Sequence, residues 1–185
     1  MNVCIFCSSN NLENKYLEPA KKLANMFISA KYNMVYGGSD YGLMQFMADI
    51  MQEGGRKIIG VTIPVYAEDL REKADEKIIA KDLSDRKRII LDRSDAIVVL
   101  IGGIGTIDEL FEVMELKRQG CHDKPIIVLN TDGFYDGLIM QLNRIEKENL
   151  FKAGDDRNKK ISTLSKFIQF VDTPEQAMEI INRHL

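Results

Sequence analysis

Residues 96–109 read Ala-Ile-Val-Val-Leu-Ile-Gly-Gly-Ile-Gly-Thr-Ile-Asp-Glu, an apolar run followed by a glycine-rich loop. A continuous run of apolar, mostly β-branched residues predicts a central strand that is covered on both faces, as in parallel sheets. In open α/β sheets, ligands bind beyond the carboxyl ends of the strands, which is where this loop lies. The segment therefore predicts a parallel α/β sheet with a ligand site after residue 101.

Strand and helix patterns alternate along the rest of the chain, which is typical of a parallel sheet covered by helices. The predicted strands are residues 3–7, 34–36, 58–63, 77–80, 96–101, 126–129 and 167–171. The predicted helices are residues 18–30, 42–53, 84–93, 106–118, 136–148 and 174–184, and the polar stretch 153–160 predicts a surface loop. A chain of 185 residues suits one domain, so we expect a single-domain, Rossmann-like, doubly wound sheet over residues 1–185 with helices on both faces.

The composition is that of a globular protein, with 45% hydrophobic and 29% charged residues. The 25 basic and 28 acidic residues are interspersed and give a net charge of −3, so we expect no nucleic acid and no membrane surface as partner. The sequence shows no secretory leader pattern and no run approaching the roughly 18 apolar residues of a membrane span. Together with the odd number of cysteines, 3, these features predict a cytoplasmic protein with free thiols.

Cys4 and Cys7 have the spacing of a metal or redox pair, but both fall in a predicted strand. Residues three apart on a strand point to opposite faces, so we interpret them as core thiols. His122 and His184 are the only histidines, which favours neither a histidine-based triad nor a metal site. We expect no metal and no cofactor.

The loops after residues 6, 36 and 101 are the places where a parallel sheet binds ligands, and the last has the features of a phosphate site. Gly102, Gly103 and Gly105 let the backbone approach a ligand closely, and Thr106 adds a hydroxyl donor. The following helix presents free N–H groups and a partial positive charge. The loop is not a dinucleotide fingerprint, because Asp108 stands where the third glycine is needed, and it lacks the Gly-Lys-Ser/Thr end of a P-loop. The sequence thus disfavours NAD and ATP.

The helix after this loop has apolar residues on two sides. The stripe expected to pack on the sheet is Ile107, Leu110, Phe111 and Met114. Glu109 lies nearly opposite, together with Val113 and Leu116, so we expect another subunit to cover this second face. Asp108 and Glu109 have an alternative interpretation as surface acids that favour the helix dipole.

Arg86 and Lys87 are predicted on a helix where they share faces with apolar residues. A cation on an apolar face needs an anionic partner or must extend to water. The two residues therefore form either ordinary salt bridges or a clamp for an anionic substrate, and the pattern leaves both open.

Several separate segments combine into one pattern: Arg86-Lys87, Ser94-Asp95 and Gly102-Gly103-x-Gly105-Thr106-x-x-Glu109, with residues 4–9 and 36–44. Together they resemble the Lonely guy family of cytokinin riboside 5′-monophosphate phosphoribohydrolases, long mislabelled as lysine decarboxylases, over nearly the whole chain. The departures from the family pattern are Ser8, Ser39 and Gln45 in place of glycines, Ile101 in place of a proline, and Met114, near the bound base, where plant members often have Thr or Ile.

The resemblance implies hydrolysis of the N-glycosidic bond of a purine nucleoside 5′-monophosphate, AMP or an N6-modified AMP, to free base and ribose 5-phosphate. It implies that Arg86 and Glu109 are catalytic and that Lys87 binds substrate. The other substrate-binding residues that it implies are Gly102, Gly103, Ile104, Gly105, Thr106, Asp108, Gly37, Gly38 and Glu68. Glu112, one turn beyond Glu109, is an alternative partner for Arg86. The family also implies a homodimer with the active site near the interface.

Two other functions are open. Related molybdenum-cofactor carrier proteins share the sheet and the glycine loops, so the alternative is a non-catalytic carrier of a nucleotide or of that cofactor. The presence of Arg86 and Glu109 favours the enzyme. Amino-acid decarboxylation requires a lysine that forms a Schiff base with pyridoxal phosphate, and no sequence motif supports such a site.

Overall fold

A computed structural model describes residues 1–151 and 163–184, and strands and helices alternate through them. The strands are β1 (Asn2–Phe6), β2 (Asn33–Tyr36), β3 (Ile58–Thr62), β4 (Glu76–Ile79), β5 (Ala96–Val99), β6 (Ile126–Leu129) and β7 (Gln169–Val171). The α-helices are α1 (Asn14–Ser29), α2 (Gly42–Glu53), α3 (Leu83–Asp92), α4 (Ile104–Arg118), α5 (Asp136–Lys147) and α6 (Pro174–Arg183). Short 3₁₀-helices are formed by Pro64–Asp69, Thr131–Gly133 and Leu164–Lys166. The polar stretch 153–160 lies outside the described residues.

The strands form one sheet in the order β4-β3-β2-β1-β5-β6-β7, and every neighbouring pair is parallel. The chain builds outward from β1 as far as β4 and then crosses back to place β5 on the other side of β1. This reversal confirms the doubly wound parallel sheet. Ile5 of β1 lies beside Tyr36 of β2 and Val98 of β5, so the carboxyl ends of these strands meet at one edge. The reversal leaves a crevice between the loops at that edge.

Helices cover both faces of the sheet, as the sequence predicts. The core on one face takes its helical residues from α1, α2 and α6, including Leu23, Met47 and Ile181. The core on the other face takes them from α3, α4 and α5, including Ile90, Leu110 and Leu142. Within the described ranges, no helix is both long enough and apolar enough to cross a membrane.

Cys4 and Cys7 lie on opposite faces of the sheet, as their spacing on a strand predicts. Cys4 belongs to the core beneath α3, α4 and α5, and Cys7 belongs to the core beneath α1, α2 and α6. Both thiols are free and buried. They therefore serve as core residues and do not form a common site.

The first predicted helix and the last predicted strand have shifted ends. α1 begins at Asn14 instead of residue 18 and includes Pro19 near its start. The proline removes one helical hydrogen bond, and we attribute its tolerance to the apolar face that α1 buries, which includes Leu23 and Phe27. The predicted strand 167–171 is shortened to β7.

α4 turns a different face to the sheet from the one that its apolar stripe predicts. Its buried residues are Thr106, Glu109, Leu110, Val113 and Met114. Phe111 is 39% exposed, so the prediction that it packs on the sheet is wrong. Val113 and Leu116 contact the core and do not form the predicted subunit-facing patch. The difference has a non-local cause, because an arginine of α3 pairs with Glu109 and holds that side of the helix inward.

Candidate active site

A cleft of about 500 Å³ lies at the carboxyl edge of the sheet, beside the reversal between β1 and β5. Its walls come from the loops after β1, β2 and β3 and from the first turns of α3 and α4. The residues singled out in the sequence that line it are Gly37, Arg86, Lys87, Gly103, Gly105, Thr106, Asp108 and Glu109. The fold therefore brings most of the predicted site residues together in one place.

The first turn of α4 leaves its backbone N–H groups available to a ligand. Gly103 precedes the helix without a side-chain cap, and the Ile107 N–H donates to the Gly103 carbonyl at 3.1 Å. The N–H groups of Ile104, Gly105 and Thr106 precede that bond and have no acceptor within the helix. A methyl group added at Gly103 or Gly105 would meet nothing beyond its chain neighbours within 4 Å, so the approach is open. Such a helix start binds phosphate groups.

The glycine loop after β2 also leads into a helix, but this helix start is occupied. The Leu43 N–H donates to the Asn10 carbonyl at 3.2 Å, and the Met44 N–H donates to the Ser8 carbonyl at 3.1 Å. Gly42 has a φ of +58° and lies against Asn10, so it serves the turn. Of the two glycine loops, the one before α4 is therefore the one open to an anion.

Other predicted glycines make room for neighbouring groups. A Cβ at Gly37 would lie 2.3 Å from Nη2 of Arg86, so this glycine leaves space for the guanidinium. Gly38 has a φ of +82° and packs against β3, away from the cleft lining. Gly102 packs against Thr106, whose Oγ1 would lie 2.1 Å from an added Cβ. These three glycines support the site by close packing.

Arg86 of α3 and Glu109 of α4 form a buried ion pair in the cleft wall. Nη1 of Arg86 donates to Oε1 of Glu109 at 2.7 Å, and Nε of Arg86 donates to the Val61 carbonyl at 2.8 Å. The Glu109 side chain is 6% exposed and the Arg86 side chain is 13% exposed. Burial raises the pKa of Glu109, while the charge and hydrogen bond of Arg86 act in the opposite direction. The interpretation of Glu109 as a surface acid is therefore wrong.

Lys87 pairs with two other carboxylates of α4. Its Nζ lies 2.9 Å from Oδ2 of Asp108 and also contacts Glu112. Burial alone would lower the pKa of Lys87, but the hydrogen bonds to Glu112 and Asp108 outweigh burial and raise this pKa. The alternative that Glu112 balances Arg86 is wrong, because Glu112 is bonded to Lys87. Two neighbouring sets of ion pairs thus join α3 to α4.

Two residues of α4 that the sequence places near a ligand lie outside the cleft lining. Ile104 is 84% exposed, so its side chain faces solvent and its N–H is the group available to a phosphate. Met114 is buried in the core beneath α4, and the expectation that it lies beside a bound base is wrong.

The loop after β3, in which the sequence predicted Glu68 as a substrate contact, lines the cleft through other residues. The 3₁₀-helix Pro64–Asp69 lies there, and its Tyr66 and Asp69 line the cleft. Glu68 in the same helix is exposed and is not part of the lining. The available signal was position, because the carboxyl ends of all parallel strands meet at the same edge.

The Cys7 thiol also lines the cleft. Burial raises its pKa, and the Glu109 carboxylate adds to the rise. A protonated thiol is a weak nucleophile, so covalent chemistry at Cys7 is disfavoured. Among residues 1–151 and 163–184, no three His, Cys, Asp or Glu side chains are grouped so that they could hold a metal ion.

Solved structures share this fold at low sequence identity. The molybdenum cofactor binding protein from Rippkaea orientalis superposes with a TM-score of 0.71 at 18% identity, over 98% of this chain and 95% of that one. The Moco carrier protein from Chlamydomonas reinhardtii gives a TM-score of 0.68 at 18% identity, over 99% and 96% of the two chains. At this identity the likeness establishes the fold alone.

Sequence relatives are closer. A family model described as "Possible lysine decarboxylase" matches residues 44–181. An Arabidopsis thaliana protein named "Probable cytokinin riboside 5'-monophosphate phosphoribohydrolase" is 38% identical over 151 residues, which is 80% of this chain and 75% of the relative. A second Arabidopsis thaliana protein, named a cytokinin riboside 5′-monophosphate phosphoribohydrolase, is 36% identical over 150 residues, 79% of this chain and 69% of the relative. The chain belongs to the Lonely guy family of cytokinin riboside 5′-monophosphate phosphoribohydrolases.

Proposed function

We propose that the protein hydrolyses the N-glycosidic bond of a purine nucleoside 5′-monophosphate, AMP or an N6-modified AMP, to the free base and ribose 5-phosphate. The observation that carries the proposal is the buried Arg86–Glu109 pair beside the open first turn of α4. The helix start supplies donors for a phosphate, and the pair supplies a carboxylate for a sugar cation. The names of the Arabidopsis relatives support the same reaction class.

The chemistry follows from the position of Glu109 on α4. N-glycosidic cleavage passes through an oxocarbenium-like ribose that carries positive charge. With the 5′-phosphate on the N–H groups of Ile104, Gly105 and Thr106, the ribose comes within reach of the next helical turn, where Glu109 lies. The carboxylate stabilises the developing charge and orients a water molecule toward the anomeric carbon. The water oxygen bonds to that carbon, while the base leaves with the electron pair of the broken bond and takes up a proton.

Arg86 has two functions in this scheme. Its hydrogen bond and charge favour the ionised form of Glu109, because they oppose the rise in pKa that burial causes. Its Nη2 lies next to Gly37 at the cleft, where it is placed to contact the departing base. Lys87 and Asp108 line the same cleft and bind the substrate beside this pair.

We also propose that the protein is a homodimer with the active site near the interface. Ile104 and Phe111 are exposed on α4, the helix that carries Glu109. Leu83 at the start of α3 and Val65 after β3 are exposed close to the same cleft. Several exposed apolar side chains around one site are typical of a protein interface.

The cellular setting that fits these properties is the cytoplasm. Cys4, Cys7 and Cys121 are free, which suits a reducing compartment. The net charge of −3 favours a small-molecule substrate over a nucleic acid.

A second candidate is a non-catalytic carrier, which the structural likeness to two molybdenum cofactor binding and carrier proteins favours. Those proteins are 18% identical to this chain, whereas the hydrolase relatives are 36–38% identical. A carrier has no need of a carboxylate aimed at the ribose, so the Arg86–Glu109 pair favours hydrolysis.

The test of the proposal is base release by the purified protein. AMP and N6-isopentenyl-AMP are incubated with it, and the free base is followed by liquid chromatography. We expect release from at least one of them and much slower release from the matching nucleoside, which lacks the phosphate that the start of α4 binds. A folded protein that releases no base from a panel of monophosphates contradicts the proposal. A pterin found by native mass spectrometry in that inactive protein would favour the carrier.

A further inference from the structure

Arg71 is a buried cation outside the Arg86–Glu109 machinery. It follows the 3₁₀-helix Pro64–Asp69, which we call the strap, and its side chain is 9% exposed. Its Nη1 donates to Asp40 at 2.5 Å, its Nη2 to Asp49 at 2.6 Å and its Nε to Gln52 at 2.8 Å. One guanidinium thus joins the end of the strap to the glycine loop after β2 and to α2.

The backbone adds two further bonds at the same place. The Arg71 N–H donates to the Gly38 carbonyl at 2.8 Å, and the Asp40 N–H donates to the Asp69 carbonyl at 3.0 Å. The strap itself contains no buried residue, so apolar packing contributes little to its position. A buried charge is stable only when its donors are paired, which ties Arg71 to this one arrangement. The polar contacts of Arg71, with the Asp40–Asp69 backbone bond beside them, therefore hold the end of the strap against the loop after β2.

The strap occupies the end of the cleft farthest from the phosphate site. The sheet order places β5, β1, β2 and β3 side by side, and α4 follows β5 while the strap follows β3. Three strand spacings separate them by about 14 Å. Glu109 lies between these ends, because it follows the phosphate site on α4 and shares the Arg86 guanidinium with the Val61 carbonyl of β3. A nucleotide with its phosphate at α4 and its ribose at Glu109 therefore extends its base toward the strap.

We propose, resting on the hydrolase function above, that the strap is the base-recognition element of the cleft and that Arg71 is the positioning residue that holds it there. Tyr66 is 55% exposed at the cleft and offers a ring face for stacking on a base. The Asp69 carboxylate accepts a hydrogen bond from an exocyclic amino group, and the N6 group of AMP and of its singly substituted forms carries such an N–H. The ligand class is thus a purine with an amino group at the position that reaches the strap.

The experiment compares two ligands that differ by the base. Dissociation constants for AMP and for ribose 5-phosphate are measured by calorimetry in the Glu109→Gln background, in which turnover is expected to be slow. We expect Arg71→Met to weaken AMP binding about tenfold and to leave ribose 5-phosphate binding unchanged, because a displaced strap affects the base end alone. Tyr66→Ala is expected to give the same split. The matched control is Arg144→Met. It removes a surface arginine of α5 that pairs with Glu148, four residues further along the chain.

Each result bears on one of the two proposals. If folded Arg71→Met loses affinity for both ligands equally, or loses no affinity for AMP, the role of the strap is overturned while the hydrolase function stands. If Arg71→Met does not fold, Asp49→Asn replaces it, because this variant keeps the guanidinium and weakens one of its bonds. A selective loss of affinity for AMP in Asp49→Asn supports the inference. Affinities for the two ligands that are both unchanged, or that both fall by the same factor, overturn it. Absence of binding by either ligand with Arg71 intact contradicts the hydrolase function and the inference together.

Discussion

Glu109 and Arg86 are charged residues that the fold buries together in the wall of a cleft. Removing one member of such a pair leaves an unpaired charge, at a cost of about 3–5 kcal/mol. A hydrophobic pair would fill the same space without that cost, so an ion pair at a ligand cleft indicates a role in chemistry. The role that we assign is charge stabilisation at the ribose.

Glu109→Gln separates this role from simple binding, because glutamine keeps the shape and still accepts a hydrogen bond from Arg86. We expect kcat for base release to fall about 100-fold or more, since no charge then faces the sugar cation. Nucleotide binding is expected to persist, because the proposed phosphate site consists of backbone N–H groups of α4. Initial rates and calorimetry check the two parts.

Glu115→Gln is the matched control for this variant. Glu115 is exposed on the same helix and pairs with Arg118. We expect its kcat to equal that of the unaltered protein. Turnover retained in Glu109→Gln would contradict the assignment of Glu109.

At the scale of elements, the two glycine loops show how one sequence pattern serves two purposes. The loop before α2 has its first N–H groups bonded to carbonyls of the β1 loop, and the loop before α4 leaves them open. The difference arises from what packs nearby: the chain after β1 crosses the start of α2 at Ser8 and Asn10. The start of α4 faces the cleft, so of the two helix starts this is the one that we expect to bind an anion.

Gly105→Ala tests the open start of α4. The added methyl group meets no protein atom beyond its neighbours, and alanine favours a helix over glycine, so we expect the free energy of unfolding to rise by up to about 1 kcal/mol. The same methyl group stands where a phosphate approaches, so the dissociation constant for ribose 5-phosphate is expected to rise about tenfold. Thermal unfolding and calorimetry measure the two effects.

Gly137→Ala provides the control, because Gly137 lies in the first turn of α5 and an added methyl group is equally free of contacts there. This variant should show the same rise in the free energy of unfolding, and its dissociation constant for ribose 5-phosphate should be unchanged. Unchanged affinity in Gly105→Ala would exclude the start of α4 as the phosphate site.

The sequence predicted the elements better than their contacts. The apolar run at residues 96–101 and its glycine loop were sufficient for the parallel sheet and for the position of the cleft. The rotation of α4 was not predictable, because its apolar residues occur on two sides and the choice depends on Arg86 of another helix. Within the strap the sequence indicated Glu68 instead of Tyr66 and Asp69 for a related reason, since the position of the strap depends on Arg71 and on partners that lie up to 31 residues away in sequence. Patterns of short period carry no information about such pairings.

At the scale of the whole molecule, the exposed side of α4 indicates a surface on which a second copy of the chain is expected to bind. Ile104 and Phe111 present apolar surface next to the cleft, and burial of that surface against a second copy would also shield the site from water. Assembly and activity are then expected to be linked.

Phe111→Glu tests this link. We expect the unaltered protein to run as a dimer in size-exclusion chromatography with light scattering, and the variant to run as a monomer because a carboxylate in an apolar interface is desolvated without a partner. Base release is expected to fall in parallel. Asn25→Glu adds the same charge to an exposed position of α1 on the opposite face of the sheet and should leave the dimer intact. A monomeric unaltered protein at the same concentration would refute the dimer.

The ion pairs between α3 and α4 have a consequence for how a substrate arrives. Arg86 and Lys87 are matched against Glu109, Asp108 and Glu112, so these five groups together carry more negative than positive charge. Long-range attraction draws an anion toward net positive charge, and these groups supply none. A phosphate ester therefore approaches the cleft against a weak repulsion, and in the proposed site it is bound on contact by uncharged N–H donors. Encounter is expected to become somewhat faster as ionic strength rises, because salt screens this repulsion, and discrimination among the many anionic metabolites of a cell depends on shape.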